Sequence, residues 1–236
     1  MTTATLSQLV ETLIEGLGGP GSGERSPGER GPGERGPGGG RRLVLGITGA
    51  PGAGRTTLAL ALLDALRARH GEGFAAHLPM DGFHLADAQL DRLGLRKRKG
   101  APETFDPDGY AATLARVSTA DEDVYVPGFE RELEQPLAAA LVVEAAARVV
   151  VSEGNYLLLP GWEQARAACD EVWWVELDDA VRRERLVARH TAFGKPAAAA
   201  RAWVDEVDEV NAELIRATRS RADRVIRETP DGWVLS

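Results

Sequence analysis

Cysteine occurs once in this 236-residue sequence, at Cys169, which excludes an internal disulfide and any zinc cage built from several cysteines. Lysine is almost as scarce. Of 28 basic residues only Lys97, Lys99 and Lys195 are lysines and the other 25 are arginines, so an arginine where lysine is usual can reflect background drift. No apolar run approaches the ~20 residues needed to span a bilayer. The start Met1-Thr2-Thr3-Ala4-Thr5 lacks the basic-then-apolar layout of a secretory signal. Positive charge is also in the minority. The 36 Asp and Glu give a formal net charge of −8, which argues against a global polyanion-binding surface and hence against a nucleic-acid partner. With 43% apolar and 27% charged residues, the chain reads as a soluble cytoplasmic protein able to bury a substantial core.

The chain divides into three parts. Apolar residues at Leu6, Leu9, Val10, Leu13, Ile14 and Leu17 step by three and four, which predicts an amphipathic helix over 1–17. Residues 18–40 hold eleven Gly, four Pro and a Gly-Glu-Arg repeat at Gly23, Gly28 and Gly33, with no large apolar side chain. Such a stretch cannot offset the entropy of ordering and is expected to be a disordered linker. Residues 41–236 are expected to form the main domain. Buried strands are predicted at Leu43–Ile47, Phe74–Met80, Asp123–Val126, Arg148–Ser152 and Glu171–Leu177, with a sixth at Arg224–Arg227. Helices are predicted at Thr57–His70, Pro107–Val117, Gln135–Ala147, Asp178–His190 and Ala197–Thr218. Apolar strands alternating with helices imply an α/β fold of three layers, with a mostly parallel, five-stranded sheet covered on both faces. Ligands bind such sheets beyond the carboxyl ends of the strands.

Directly after the first strand stands Gly49-Ala50-Pro51-Gly52-Ala53-Gly54-Arg55-Thr56-Thr57, leading into a helix. It fits G-x-x-x-x-G-K-[ST] except at the lysine, which is Arg55. An ordinary Gly-rich turn is the alternative, but the strand before and helix after favour a phosphate loop. Gly49, Gly52, Ala53, Gly54, Arg55, Thr56 and Thr57 form the expected nucleotide-binding set, and Thr56 would place its hydroxyl on Mg²⁺. Arg55 keeps the charge of the missing lysine but is longer and planar. It allows either retained but slower turnover or a nucleotide-binding protein whose catalysis is weak or lost. Glu153 ends the run Val149-Val150-Val151-Ser152, where a carboxylate can hold Mg²⁺.

Four stretches carry a family resemblance: Gly46 to Gly54, Pro79-Met80-Asp81-Gly82-Phe83-His84, Lys99 to Asp106, and Glu153-Gly154-Asn155-Tyr156. With the arginines near Arg182, they make the chain resemble P-loop small-molecule kinases of the uridine kinase, pantothenate kinase and phosphoribulokinase group. The resemblance covers about 43–225. It implies ATP and Mg²⁺ as cofactors and transfer of the γ-phosphoryl group to a hydroxyl of a nucleoside, a pantothenate-like compound or a sugar. It makes Asp81 the base that takes the hydroxyl proton, with His84 and Phe83 lining the acceptor pocket. It also implies a lid near 182–197 whose arginines clamp phosphates. Arg185 and Arg189 are the expected catalytic cations beside Arg55, and Arg182 joins the nucleotide-binding set. Arg182, Arg185 and Arg189 share one helical face, although an exposed salt-bridged helix would look similar. Lys99, Arg131 and Phe105 are acceptor-site candidates, with Asp106 weaker.

The cluster Arg96-Lys97-Arg98-Lys99 lacks the interleaved aromatics of a nucleic-acid platform. Trp173 and Trp174 are expected to pack on opposite faces of a strand, and Trp203 and Val210 on the apolar face of a helix. His70, His77 and Cys169 show no partners that suggest chemistry. No Asn-Lys-x-Asp guanine motif is present. The sequence leaves a homodimer open.

Overall fold

A computed structural model describes residues 5–17, 41–229 and 232–235. The linker expected at 18–40 lies outside the described residues. None of the described helices is long and apolar enough to cross a membrane.

The chain enters through helix α1 (Leu6–Leu17), then β1 (Leu43–Thr48), α2 (Arg55–His70), β2 (Ala75–Pro79) and α3 (Asp87–Leu93). Helix α4 (Pro107–Thr119) leads to β3 (Val124–Glu130), β4 (Gln135–Val143), β5 (Val149–Glu153), α5 (Glu163–Ala167) and β6 (Glu171–Glu176). Helices α6 (Asp179–Ala192), α7 (Ala197–Trp203) and α8 (Glu209–Arg216) then precede β7 (Arg224–Thr229) and β8 (Gly232–Leu235). The main sheet has the order β2-β5-β1-β6-β7-β8. Its first five strands are parallel, and β8 closes one edge antiparallel to β7.

Side chains that alternate along each strand feed two cores. On one face Leu45, Ile47, Val149, Val151 and Trp173 meet Leu58, Leu62 and Leu66 of α2 and Leu9 and Leu13 of α1. On the other, Val44, Val150 and Trp174 meet Tyr110 and Leu114 of α4, Ala165 of α5 and Ile215 of α8. The two adjacent tryptophans therefore do face opposite layers. At the amino end of β1, buried Arg42 donates to the carbonyls of Val117, Ala120, Glu144, Ala145 and Ala147 at 2.7–3.2 Å, closing that end of the sheet.

Three expectations are corrected. Residues 135–147 are not a helix: β4 pairs antiparallel with β3 as a separate two-stranded sheet. Its Ala-rich sequence favours helix, but Leu137 to Ala140 are exposed and only Val143 of the strand is buried. The ladder to β3, whose Val124 and Val126 are buried, outweighs local propensity. For the same reason the strand expected at Asp123–Val126 is not part of the parallel sheet. The helix expected at Ala197–Thr218 is interrupted by a π turn at Val204–Asp208. The short helices α3 and α5 and the strand β8 left no clear periodic signal.

Candidate active site

Strand register decides what meets at the carboxyl edge of the sheet. Glu153, the last residue of β5, lies opposite Ile47 of β1 and Pro79 of β2. The phosphate-loop sequence begins two residues beyond Ile47, and Asp81 stands two residues beyond Pro79. Three central strand ends thus deliver the Gly-rich loop, Glu153 and Asp81 to one place.

The loop is tightly seated. Gly52 has φ 81°, and a Cβ there would stand 2.8 Å from Leu186 Cγ and 2.9 Å from the Arg182 carbonyl, so the backbone lies against α6. Helix α2 starts at Arg55 with no side-chain cap and no acid in its first turn. Its free amides and positive dipole end are open to an anion. Thr56 Oγ1 donates to Glu153 Oε1 at 3.2 Å, and Arg55 Nη1 stands 3.5 Å from Glu153 Oε2. Burial pushes the Glu153 carboxyl above its ordinary pKa, while the Arg55 charge opposes that shift. Asp81 sits in a short turn made possible by Gly82, where a Cβ would come 2.5 Å from the Pro127 carbonyl of β3. Arg131 Nη2 approaches Asp81 Oδ2 at 3.6 Å.

Three cavities adjoin here, and Thr56 lines all of them. One of about 310 Å³ lies over the loop, bordered by Gly52, Gly54, Thr57, Arg185, Arg189 and Glu228. A second of about 420 Å³ is bordered by Arg55, Asp81, His84, Lys99, Phe105 and Glu153, among others. A third of about 260 Å³ lies under the β3–β4 hairpin, beside His77, Asp81, Arg131, Leu137 and Glu153.

The structure brings most of the expected residues together. Arg189 lines both the first and second cavities and, among the described residues, has no carboxylate in ion-pair range. Burial lowers its pKa. Arg185 is held by Glu228 through two hydrogen bonds, at 2.8 and 3.2 Å. Burial also lowers the His84 pKa, leaving the imidazole neutral near pH 7. Its Nδ1 donates to the Asp81 carbonyl at 2.8 Å, which leaves Nε2 as the acceptor. The His84 ring packs on Phe105 and Phe129 at centroid distances of 3.9 and 4.9 Å. Lys99 Nζ binds Asp87 at 2.7 Å and the Glu134 carbonyl, tying α3 to the hairpin.

Five candidates are placed elsewhere. Gly49 lies against β6, where a Cβ would stand 2.6 Å from the Val175 carbonyl, and borders none of the three cavities. Arg182 is buried beneath the loop, where its guanidinium donates to Asp179, Glu209 and the Pro51 carbonyl. It props the loop and lines a separate cavity of about 510 Å³ with Ala50, Trp174 and Arg216, bordering none of the three that meet at Thr56. The Ala53 amide donates to the Ala50 carbonyl at 3.1 Å and its methyl group is in the core, so it shapes the turn. Phe83 packs edge-on against Tyr110 at 5.0 Å in the core and lines none of these cavities. Asp106 caps α4 by accepting from the Gly109 amide at 2.9 Å.

Other site residues carried no sequence signal of their role. His77, read as ordinary, lines the cavity under the hairpin with an unpartnered Nε2. Trp203 lines the second cavity, with Lys195 Nζ 4.8 Å from its ring centroid. Asn155 and Asn211 border the same cavity, and Asn155 Oδ1 is buried without a partner. Of these, only Asn155, inside the Glu153-Gly154-Asn155-Tyr156 stretch, stood within a recognisable motif. Glu228 is missed because nothing in β7 distinguishes it from a solvated strand-end acid.

No protein-family model matches the chain. A Schizosaccharomyces pombe protein named as a candidate uridine kinase is 31% identical over 197 residues, covering 80% of this chain and 84% of its own. The pantothenate kinase of Leifsonia xyli is 29% identical over 219 residues, 82% of this chain and 68% of its own. Among solved structures, a candidate fructose transport system kinase from Silicibacter sp. TM1040 superposes with a TM-score of 0.77 at 36% identity, covering 94% of this chain and 98% of that one.

Proposed function

Because the chain belongs to the P-loop small-molecule kinases of the uridine kinase, pantothenate kinase and phosphoribulokinase group, we propose that the cavities meeting at Thr56 take ATP and a hydroxyl acceptor end to end. The observation that carries this reading is the convergence of the loop, Glu153 and Asp81 on adjoining cavities. Triphosphate would lie over the amides at the start of α2, between Arg55 and Arg189, with Arg185 at its outer side. The acceptor would occupy the second cavity, with its hydroxyl at Asp81. Asp81 takes the hydroxyl proton as the oxygen attacks the γ-phosphorus, the bond to the bridging oxygen breaks, and ADP leaves. Arg55 and Arg189 neutralise charge on the transferring group, so positioning and electrostatics supply most of the acceleration.

Mg²⁺ fits the donor set. Thr56 and Glu153 offer hard oxygens 3.2 Å apart. Among the described residues there is no group of three or more His, Cys, Asp and Glu that would form a cage. That suits a metal completing its shell with phosphates and water. Bound there, Mg²⁺ would neutralise charge on the β- and γ-phosphate oxygens. Arg182, although it borders none of the three cavities that meet at Thr56, would hold the loop in shape, and the α6–α7 segment would form the lid.

The acceptor is a nucleoside, a pantothenate-like compound or a sugar. The test is ADP release from MgATP against uridine, pantothenate and D-fructose. Asp81→Asn should leave MgATP affinity nearly intact and slow phosphorylation of the best acceptor by about 10²–10⁴-fold. Turnover at the native rate in that variant would overturn the base assignment.

One observation favours a second reading, a nucleotide binder with weak turnover: Arg55 reaches Glu153, the proposed metal-holding acid, at 3.5 Å. Arg55→Lys separates the two. Activation of tenfold or more would favour the weak enzyme, and a rate within about threefold of native would dismiss it.

A further inference from the structure

Glu228 is the one acid bordering the cavity over the phosphate loop, among three arginines. Its Oε2 stands 3.1 Å from where a Cβ on Gly54 would project, so it lies at the wall of that cavity. A carboxylate there repels phosphate oxygens unless it is neutralised and has a use. Arg185 neutralises it, each carboxylate oxygen accepting one guanidinium hydrogen bond. A carboxylate has about four acceptor positions, so the Arg185 fork leaves acceptor capacity unfilled. Such a group can only accept, so a ligand that meets it must present a donor.

Phosphates at neutral pH offer almost no donor. Moving outward from the α-phosphate of a nucleoside triphosphate, the first donors are the ribose hydroxyls, whereas a base amine lies at the far end. We propose that Glu228 accepts a hydrogen bond from the ribose hydroxyls of the bound nucleotide and makes the site selective for ribonucleotides. The inference rests on the reading that this cavity holds the nucleotide. Glu228 acts as a specificity residue, and its pair with Arg185 lets a negative group stand beside a polyanion.

The test is calorimetric binding of MgATP, 2′-deoxy-ATP with Mg²⁺, 3′-deoxy-ATP with Mg²⁺, and MgGTP to the full chain and to Glu228→Ala. The native chain should bind MgATP about tenfold more tightly than at least one deoxy form, the value of one charge-assisted hydrogen bond. In Glu228→Ala that ratio should fall to within about twofold. A purely structural defect would weaken ATP and its deoxy forms alike and leave the ratio unchanged. Equal native affinities, or a ratio that survives the substitution, overturns the inference while MgATP binding itself stands. So does a variant that changes only the ATP-to-GTP ratio. If the native chain binds no MgATP, the nucleotide reading fails and this inference with it. Glu228→Gln, which keeps the side-chain shape, with matched thermal melts guards against misfolding: it should retain part of the preference.

Discussion

Burial sets the protonation of several side chains around Asp81. His77 is held neutral, its pKa lowered to about 4 by burial and by the nearby Arg67 charge. Its ordinary value is about 6.5, so between those two values the unfolded chain binds a proton that the folded chain does not. Stability linked to His77 is complete above about pH 6.5 and falls as pH drops toward 4, by about 2 kcal/mol at pH 5. Urea unfolding at pH 7.5 and 5.0 should show that acid-side loss, and His77→Leu should lose correspondingly less. An unchanged difference between the two pH values would show that the folded protein protonates His77 freely. At this scale the site was partly legible. Thr56, Asp81 and Glu153 could be read because each follows a buried strand within a Gly-bearing motif. His77 and Glu228 could not, because their significance lies in which cavity they border, and a strand sequence does not encode that.

Elements were read best where the periodicity was long and apolar. Helix α2 buries Leu58, Leu62 and Leu66 along one face, and its start after the glycines was legible to within two residues. Helix α6 shows the limit of the same logic. Arg182, Arg185 and Arg189 share a face by spacing, yet Arg182 lies under the loop while the other two border its upper side. The reason is Gly52, which lets α6 approach so closely that one turn of the helix passes beneath the loop backbone. Arg182→Met should therefore remove the Pro51 contact and the nearest of the three arginines around Glu209. The expected cost is about 2–3 kcal/mol of stability, with MgADP affinity about tenfold lower. Hydrogen exchange at 50–54 should quicken in step. Normal exchange and affinity would show that the loop holds its shape without the strut. Strand β4 was misread for a different reason: alanine favours a helix locally, but β3 offers a complete backbone ladder.

Across the whole molecule, the residues proposed for phosphoryl transfer and the hairpin that roofs the neighbouring cavity are attached differently. The phosphate loop, Asp81 and Glu153 leave the ends of β1, β2 and β5, whose mutual register fixes them. Leu137, Ala140 and Leu141 come from β4, whose backbone ladder is with β3 in a two-stranded sheet of its own. The α/β architecture was legible because a parallel sheet buried on both faces leaves a clear apolar signature. Of the hairpin only the start of β3 was legible, as a strand over Asp123–Val126, because the half-exposed β4 leaves a weak signal.

The hairpin is a sheet of its own that leans on β2 and on the Asp81 turn, so we expect acceptor preference to respond to it more than phosphate binding does. Exchanging 127–141 for the matching segment of a relative with another acceptor should shift the ranking of acceptors while leaving MgATP affinity and the melting temperature close to native. Such a chimera would keep its engine and change its tool. Divergence among these kinases could then proceed by swapping a ribbon that reaches the proposed base through Arg131.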